Sequence, residues 1–368
     1  MGLFKMLKKK SDMKNKEKHG IKLVINSKVT RKNGADEPEI TPVEKIIENM
    51  KPNDFGLYPH EILLLSYASK YKTVGNEYPK FWWYDYGIRD VDVALKSLKD
   101  RDFLKIGSLK SAIENETVAV LKDILKNNNM KVSGKKAQLV QRILEELPEK
   151  ELKNCFTKYT YELTDSGKTI LDNEKHILYI HRHRIEDLDI WSLNKMVQER
   201  AGIPYRDVIW GYMNQRSMIY LKNGDFGLYR NCRFSMSEFV MEEGRLENSI
   251  SLLAEIIRFD LSGLSNNFSG KFMDLYIDMY FPYKDSILTV APGIINRVRD
   301  YQNRKSLSDN ELKMKLLEDM RRIQLPFSVF TVNECAEIVL LEINEDKKEL
   351  GKLYNKAKRR YKKEYGIK

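Results

Sequence analysis

The sequence predicts a mainly α-helical protein with more than one domain. Beyond the first forty residues, apolar side chains recur mostly at helical spacing, and only a few short segments are predicted as strands. A chain of 368 residues is long enough for two or three hydrophobic cores. Apolar residues make up 42% of the chain and charged residues 32%, which is the composition of a globular protein with a strongly charged surface.

The composition argues against several classes of protein. No window holds the 18 or more uncharged apolar residues that are needed to span a bilayer, so no membrane span is predicted. The start, "MGLFKMLKKK", lacks the apolar stretch and the small-residue cleavage site of a signal peptide. Cys155, Cys232 and Cys335 are far apart and odd in number, which argues against a disulfide framework and against a structural zinc site. We therefore expect a cytoplasmic protein without a cofactor.

Positive charge is concentrated at the two ends of the chain. Of the net charge of +11, residues 1–35 contribute +9 and residues 347–368 contribute +8, so the stretch 36–346 carries −6. Residues 1–40 are predicted as a basic, mostly disordered tail, because they combine low hydrophobicity with no sustained period. Residues 347–368 are predicted as the basic end of a long C-terminal helix that starts after Thr331. Lysine-rich segments attract polyanions by counterion release, without sequence specificity.

The elements predicted after the N-terminal tail come in the order helix, short helix, helix and strand. The helices lie in "YPHEILLLSYASKY", "EYPKFWWYDYG" and "IRDVDVALKSLKD", and the strand covers residues 103–106. A second strand, 158–163, leads into a helix capped by Thr164. This order resembles the winged helix-turn-helix family, whose wing is a hairpin of two strands. We therefore predict a winged-helix-like domain in residues 41–110 and 156–175, with the two strands paired.

About fifty residues separate the two strands, which is too long for an unstructured loop inside a compact domain. They contain "TVAVLKDILKNNNMKVSGKKAQLVQRILEEL", in which Thr117 is predicted to cap one helix and Ser133 a second. Asn129 tolerates the left-handed backbone expected between the helices. We predict a folded module in residues 111–155, inserted at the tip of the wing. The side chains predicted to point inward are Val118, Leu121, Ile124 and Leu125 in the first helix, Met130 in the turn, and Leu139, Ile143 and Leu144 in the second helix.

The start of the second helix is unusual, because two lysines stand where the helix dipole is already positive. Free N–H groups, the dipole and two ammonium groups together favour an anion at this position. The segment resembles the SAP domain, a helical hairpin known for binding DNA, whose signature of a small residue, Gly, Lys, Lys, Leu and Arg is met at 133–142. The resemblance implies duplex DNA as the partner, contacted mainly through its phosphates. The predicted contacts are Lys131, Ser133, Gly134, Lys135, Lys136 and Arg142.

The third helix of the winged-helix-like domain is the second candidate DNA-binding element. Arg89, Lys96 and Lys99 are predicted to face DNA. Asp90 and Asp92 lie beside them, so this helix is equally a candidate for protein contacts.

Two motifs are assigned to structure and not to chemistry. The aromatic run "FWWY", residues 81–84, could stack on bases, but in a winged helix it is predicted to fill the core. The run "DSGKT", residues 165–169, ends like a phosphate-binding P-loop, yet Glu162 stands where that motif needs glycine. We predict that it forms the exit from the wing.

Two sets of possible metal ligands are weak candidates. His176, His181 and His183 fit neither face of a helix and have no cysteine nearby, so a polar surface is predicted. Asp274 and Asp278 in "FMDLYIDMYF" lie one helical turn apart and could share a divalent cation, but the solvated face of an amphipathic helix is favoured. Because no convincing catalytic or cofactor motif is present, no enzyme activity is predicted, and a divalent-metal nuclease ranks last.

Residues 176–346 are predicted as an α-helical domain, because apolar periodicity recurs in "IWSLNKMVQERAG", "LENSISLLAEIIRFDL" and "DNELKMKLLEDMRRIQ". The function favoured by the whole sequence is that of a DNA-binding protein. The first alternative is an assembly protein, whose helical domain binds a protein partner or self-associates while the SAP-like segment tethers it to nucleic acid. The second alternative is an RNA-binding regulator.

Overall fold

The computed structural model describes residues 43–48, 50–156 and 159–368. They belong to two compact units, 43–208 and 209–368. Helices predominate in both units, which confirms the mainly α-helical class. The predicted tail, residues 1–40, lies outside the described residues. Within the described chain, no helix combines the length and the apolar character that crossing a membrane would require.

A small sheet organises the first unit. Strand β1 (Leu104–Ile106) pairs antiparallel with β2 (Tyr161–Leu163), so that Leu104 lies opposite Leu163. The predicted pairing is thereby confirmed, although the first residue assigned to the second strand, 158, lies outside the described residues. The opposite edge of β2 is extended by an isolated bridge between Lys72 and Thr160. The helices of this unit are α1 (Val43–Ile47), α2 (Pro59–Tyr67), α3 (Phe81–Tyr84), α4 (Val91–Asp100), α5 (Leu109–Glu114), α6 (Val118–Asn127), α7 (Lys136–Glu146), α8 (Glu149–Cys155), α9 (Asp165–Asn173), α10 (Lys175–Arg182) and α11 (Ile190–Glu199).

Two capped helices flank the sheet. The Asp90 carboxylate accepts from the Val93 N–H at 2.9 Å and starts α4, and Thr164 Oγ1 accepts from the Gly167 N–H at 3.1 Å and starts α9. "DSGKT" is therefore the first turn of α9, as predicted. A Cβ atom on Gly167 would lie 2.3 Å from the Phe103 carbonyl oxygen, so only glycine lets this helix pack so closely beside the strand.

The aromatic run at α3 is only partly in the core. Trp82 is buried, and its indole N–H donates to the Tyr71 hydroxyl at 2.7 Å, which confirms the predicted core role for this residue. Trp83 and Tyr84 remain 42% and 43% exposed, so the same prediction is wrong for them. The reason is geometric, since a helix of one turn can direct only part of its surface into a core.

The histidines of α10 are structural. His176 is buried and its Nε2 lies 3.0 Å from Asn194 Oδ1, so the predicted polar surface is wrong at this residue. His181 lies between the hydroxyl groups of Tyr67 and Tyr86, at 2.8 and 2.5 Å. In the part of the chain that the structure describes, no group of three or more His, Cys, Asp or Glu side chains could hold a metal ion.

The second unit is a helical bundle with a large hydrophobic core. The predicted helices in "LENSISLLAEIIRFDL" and "DNELKMKLLEDMRRIQ" are confirmed. Asp274 and Asp278 are exposed but lie on a turn and on a separate short helix, so the predicted amphipathic helix around them is wrong. The elements are α12 (Tyr205–Asn223, which begins in the first unit), α13 (Phe226–Glu242), α14 (Leu246–Asp260), α15 (Ile277–Tyr280), α16 (Pro292–Lys305), α17 (Asp309–Arg321), α18 (Val332–Ile343) and α19 (Lys347–Glu364).

The C-terminal segment differs from the prediction of one long helix. Thr331 caps the segment as expected, with its Oγ1 accepting from the Glu334 N–H at 3.2 Å. The helix then ends, and a short turn separates α18 from α19, in which Glu345 takes a left-handed conformation with φ of +57°. The break turns α19 back, and its buried residues join the core of the unit. These residues are Leu350, Tyr354, Ala357 and Tyr361.

Candidate nucleic-acid interface

The inserted segment has a hydrophobic core of its own. The cap of α6 is as predicted, since Thr117 Oγ1 accepts from the Val120 N–H at 3.3 Å. Asn129 has φ of +58°, which confirms the predicted left-handed turn. Val118 is 40% exposed, so its predicted inward position is wrong, because it lies in the first turn, ahead of the part of α6 that is buried. The buried residues of this core are Ala112, Ile113, Leu121, Leu125, Leu139, Val140, Ile143, Leu147, Leu152 and Phe156.

The helix that carries the paired lysines starts two residues later than predicted. Lys135, and not Ser133, is the N-cap of α7, and its backbone N–H donates to Gln138 Oε1 at 2.9 Å. Gln138 thus reaches back from the third helical position, as in one half of a capping box. Gly134 has φ of +131°, and a Cβ atom there would lie 2.8 Å from the same Gln138 oxygen. Glycine therefore permits both the backbone turn and the side-chain cap.

Arg142 fastens the loop ahead of α7. Its Nη1 donates to the Lys131 carbonyl oxygen and, at 3.2 Å, to the Ser133 carbonyl oxygen. Its Nε lies 4.0 Å from Glu146 Oε1, and the side chain is only 19% exposed. The guanidinium group is therefore engaged with the protein's own backbone, whereas the sequence predicted a contact to DNA.

Three cations around this loop are available to a ligand. Lys131, Lys135 and Lys136 are exposed, and none of them forms an ion pair with any residue that the structure describes. The first-turn N–H groups of Lys136 and Ala137 likewise have no acceptor among the described residues. Unpaired N–H groups at a helix N-terminus attract anions, and the adjacent ammonium groups add to that attraction.

An open groove of about 390 Å³ adjoins this helix start. Lys131, Ser133 and Gly134 line it together with Glu145 and Glu146. Lys135 and Lys136 do not line the groove, and its carboxylates repel phosphate, so the start of α7 and not the groove is the candidate site for an anion.

The hairpin is held at its base by two further helices and by polar contacts to the sheet. Leu152 and Phe156, at the end of α8, complete its core. Asn115 Nδ2 donates to Thr160 Oγ1 at 3.1 Å, and Lys72 Nζ lies 3.3 Å from Glu116 Oε1. The structured module thus extends beyond the hairpin itself.

The second predicted contact surface is less cationic. Arg89 and Lys96 are exposed without an ion pair to a described residue, whereas Lys99 is half-buried and lies 3.7 Å from Asp100. The Asp92 carboxylate accepts a hydrogen bond from the Tyr78 hydroxyl. On the same helix Val93 is 62% exposed.

Sequence reasoning missed the cap function of Gln138 and the loop contacts of Arg142. A signal for the first was present, because a glutamine three residues after a helix start is typical of a capping box. For Arg142 no local pattern indicates that its side chain turns back eleven residues along the chain.

Comparison with known families supports the hairpin assignment. A model of the SAP domain family matches residues 114–148, which include α6, its turn and α7. No curated protein matches the chain. The chain therefore carries a SAP domain in residues 114–148, and this domain suggests that it binds nucleic acid.

Proposed function

We propose that the protein binds duplex DNA in the cytoplasm, mainly through phosphate contacts at the start of α7. The observation that carries this proposal is the free first turn of α7, flanked by Lys131, Lys135 and Lys136, none of which is neutralised by a described residue. Phosphate contacts of this kind position a protein on a duplex without reading a strict base sequence.

We also propose that residues 41–110 and 156–175 form a winged-helix-like domain with the SAP module inserted in its wing. Three observations support this assignment: the order of α2, α3, α4 and β1, the antiparallel pairing of β1 with β2, and the third segment on the other edge of β2. Arg89 and Lys96 at α4 would add phosphate contacts.

The proposal is tested with the full-length chain and a fluorescent DNA duplex, titrated at several salt concentrations. Lys135→Ala/Lys136→Ala should bind more weakly. The negative slope of log K against log[salt] should become shallower by roughly 1.8, about 0.9 for each phosphate that the protein no longer neutralises. Its melting temperature should be unchanged or slightly higher, because removing cations from a helix N-terminus relieves an unfavourable interaction of about 0.3–1 kcal/mol.

The control is Lys110→Ala/Lys150→Ala, which removes two exposed lysines from the flanking helices α5 and α8. Lys110 lies 3.8 Å from Glu114, whereas Lys150 forms no ion pair with a described residue. This control should keep the affinity and the salt slope of the natural chain. Equal effects of the two double variants would refute a specific phosphate site at α7. Competition by duplex RNA and single-stranded RNA distinguishes a DNA-binding protein from an RNA-binding regulator.

A second candidate function is self-association of the helical second unit. Four large apolar side chains are exposed within one stretch of about sixteen residues: Phe272, Leu275, Met279 and Ile287. The Ile287 N–H donates to the Met279 carbonyl oxygen at 3.0 Å, so the last two residues are neighbours. Sedimentation of the natural chain and of Leu275→Ser tests this function, because a self-associating surface requires the variant to shift toward monomer.

A further inference from the structure

The cations of the C-terminal helix form a straight stripe. Lys348, Lys352, Lys356, Arg359 and Lys363 are all exposed and follow one another at intervals of four, four, three and four residues. This spacing places them on one face of α19. At 1.5 Å per residue the stripe is about 22 Å long.

The opposite face of α19 is fixed in the core of the second unit. Its buried residues recur at intervals of four, three and four. The Tyr354 hydroxyl donates to the Leu288 carbonyl oxygen, and the Tyr361 hydroxyl donates to the Met273 carbonyl oxygen. The cations are therefore displayed on a helix that is anchored in the core, as the helical prediction for residues 347–368 requires.

Most carboxylates near the stripe are already engaged elsewhere. Glu334 holds Arg360, with N···O distances of 2.5 and 2.6 Å, and Glu337 pairs with Lys313. Glu349 pairs with Lys352 at 2.5 Å, and this is the one ion pair that any stripe residue makes with a described residue.

Four cations of the stripe thus remain without a counter-charge from the described chain. The two glutamates of α19 itself are Glu349, which is paired, and Glu364, which lies too far from every stripe residue to form an ion pair with it.

We propose that this face of α19 is a second binding surface for nucleic acid, separate from the SAP domain. Duplex DNA presents about one negative charge per 1.7 Å of its axis, so a 22 Å row of cations can lie along roughly a dozen phosphates. An anionic membrane is a poorer partner, because an amphipathic helix binds lipid by burying its apolar face, and that face of α19 is occupied by the protein's own core. The proposal does not depend on the function of Lys135 and Lys136.

The test is the quadruple variant Lys348→Gln/Lys356→Gln/Arg359→Gln/Lys363→Gln in the full-length chain. Glutamine is a good helix former, so the helix should persist, which circular dichroism and a thermal melt check. A labelled 24-base-pair duplex should bind roughly tenfold or more weakly, and the salt slope should fall by about 2 to 4, since each phosphate that is no longer neutralised lowers it by about 0.9.

The control is Lys222→Gln/Arg304→Gln/Lys305→Gln/Arg321→Gln, which removes the same charge from exposed positions of the same unit. Two of these cations are already paired, Arg304 with Asp300 and Lys305 with Glu247. The control should keep the affinity and the slope of the natural chain.

The outcomes separate this proposal from that for the SAP domain. The stripe substitutions should reduce the salt slope by the same amount in the natural chain and in Lys135→Ala/Lys136→Ala, which would support two independent surfaces. An affinity and slope equal to those of the control overturn the stripe proposal, whatever the lysines of α7 do. Loss of binding to phosphatidylserine vesicles with unchanged duplex binding would also overturn it, in favour of a lipid surface.

Discussion

Arg142 provides the sharpest test of how the SAP domain of this protein is organised. The sequence pattern predicts that this residue contacts DNA, whereas its guanidinium group donates to the carbonyl oxygens of Lys131 and Ser133. We predict that Arg142 positions the loop and neutralises no phosphate. Arg142→Lys and Arg142→Gln distinguish the two roles, because lysine keeps the charge but cannot reproduce the planar fork of donors.

The magnitude follows from the hydrogen bonds that these variants remove. A hydrogen bond from a charged donor contributes about 1.5–3 kcal/mol, but Lys131 and Ser133 are exposed, so water can replace the donor at their carbonyl groups. We therefore expect each variant to destabilise the ordered loop by only about 1–2 kcal/mol. If DNA binds only the ordered loop, the affinity falls by at most about 5- to 30-fold.

The assay is a duplex titration over a range of salt concentrations, together with hydrogen exchange at the Lys135 amide, which donates to Gln138 Oε1. A positioning role requires that both variants bind more weakly, exchange this amide faster and keep the salt slope of the natural chain. A phosphate contact requires a different result, in which Arg142→Lys resembles the natural chain and Arg142→Gln lowers the slope by about 0.9. That second pattern would refute the loop-positioning role.

Two further predictions concern stability. Gly167→Ala should lower the free energy of unfolding by roughly 3 kcal/mol or more, because its Cβ would meet the Phe103 carbonyl oxygen at 2.3 Å. Gly351→Ala, in open space, should instead stabilise α19 by about 0.5–1 kcal/mol. Thermal melts of both variants check the contrast. Burial lowers the pKa of His60 to about 4, so the folded state keeps this ring neutral while the unfolded chain takes up a proton below its ordinary pKa of 6.5. The contribution of this ring to the free energy of unfolding is complete above pH 6.5 and is lost as the pH falls toward 4; at pH 5 the loss is about 2 kcal/mol. Urea unfolding of the natural chain and of His60→Gln at pH 7.5 and 5 checks this, because the variant should lose less stability between the two pH values.

The parts of the fold that the sequence predicts well are those with strong local signals. Thr117 and Thr164 start their helices as predicted, because a short polar side chain before an apolar period is a nearly sufficient signal for a helix start. The strands on either side of the insertion pair as expected, because the intervening segment folds on its own core and leaves its ends close together.

The errors occur where a competing interaction decides the outcome. Ser133 and Thr117 are both residue types that favour a helix N-cap. At α7, however, Gln138 accepts the hydrogen bond from the Lys135 N–H, so the helix starts two residues later. The break between α18 and α19 contains neither glycine nor proline, so nothing local indicates that Glu345 takes a left-handed conformation. Burial of Tyr354 and Tyr361 in the core compensates for that conformation.

Net charge alone could not have identified the two proposed binding surfaces, because a cation that is neutralised within its own chain has little attraction left for a phosphate. Many arginines of the second unit are of that kind: Arg230 binds Asp260, Arg233 binds Glu255 and Arg297 binds Glu238. The lysines at the start of α7 and most of the stripe on α19 lack such partners among the described residues, and both sets lie on helices whose other face is buried. Because such cations are already ordered and unpaired, a phosphate backbone can bind them without first breaking an ion pair or fixing the backbone of a mobile tail.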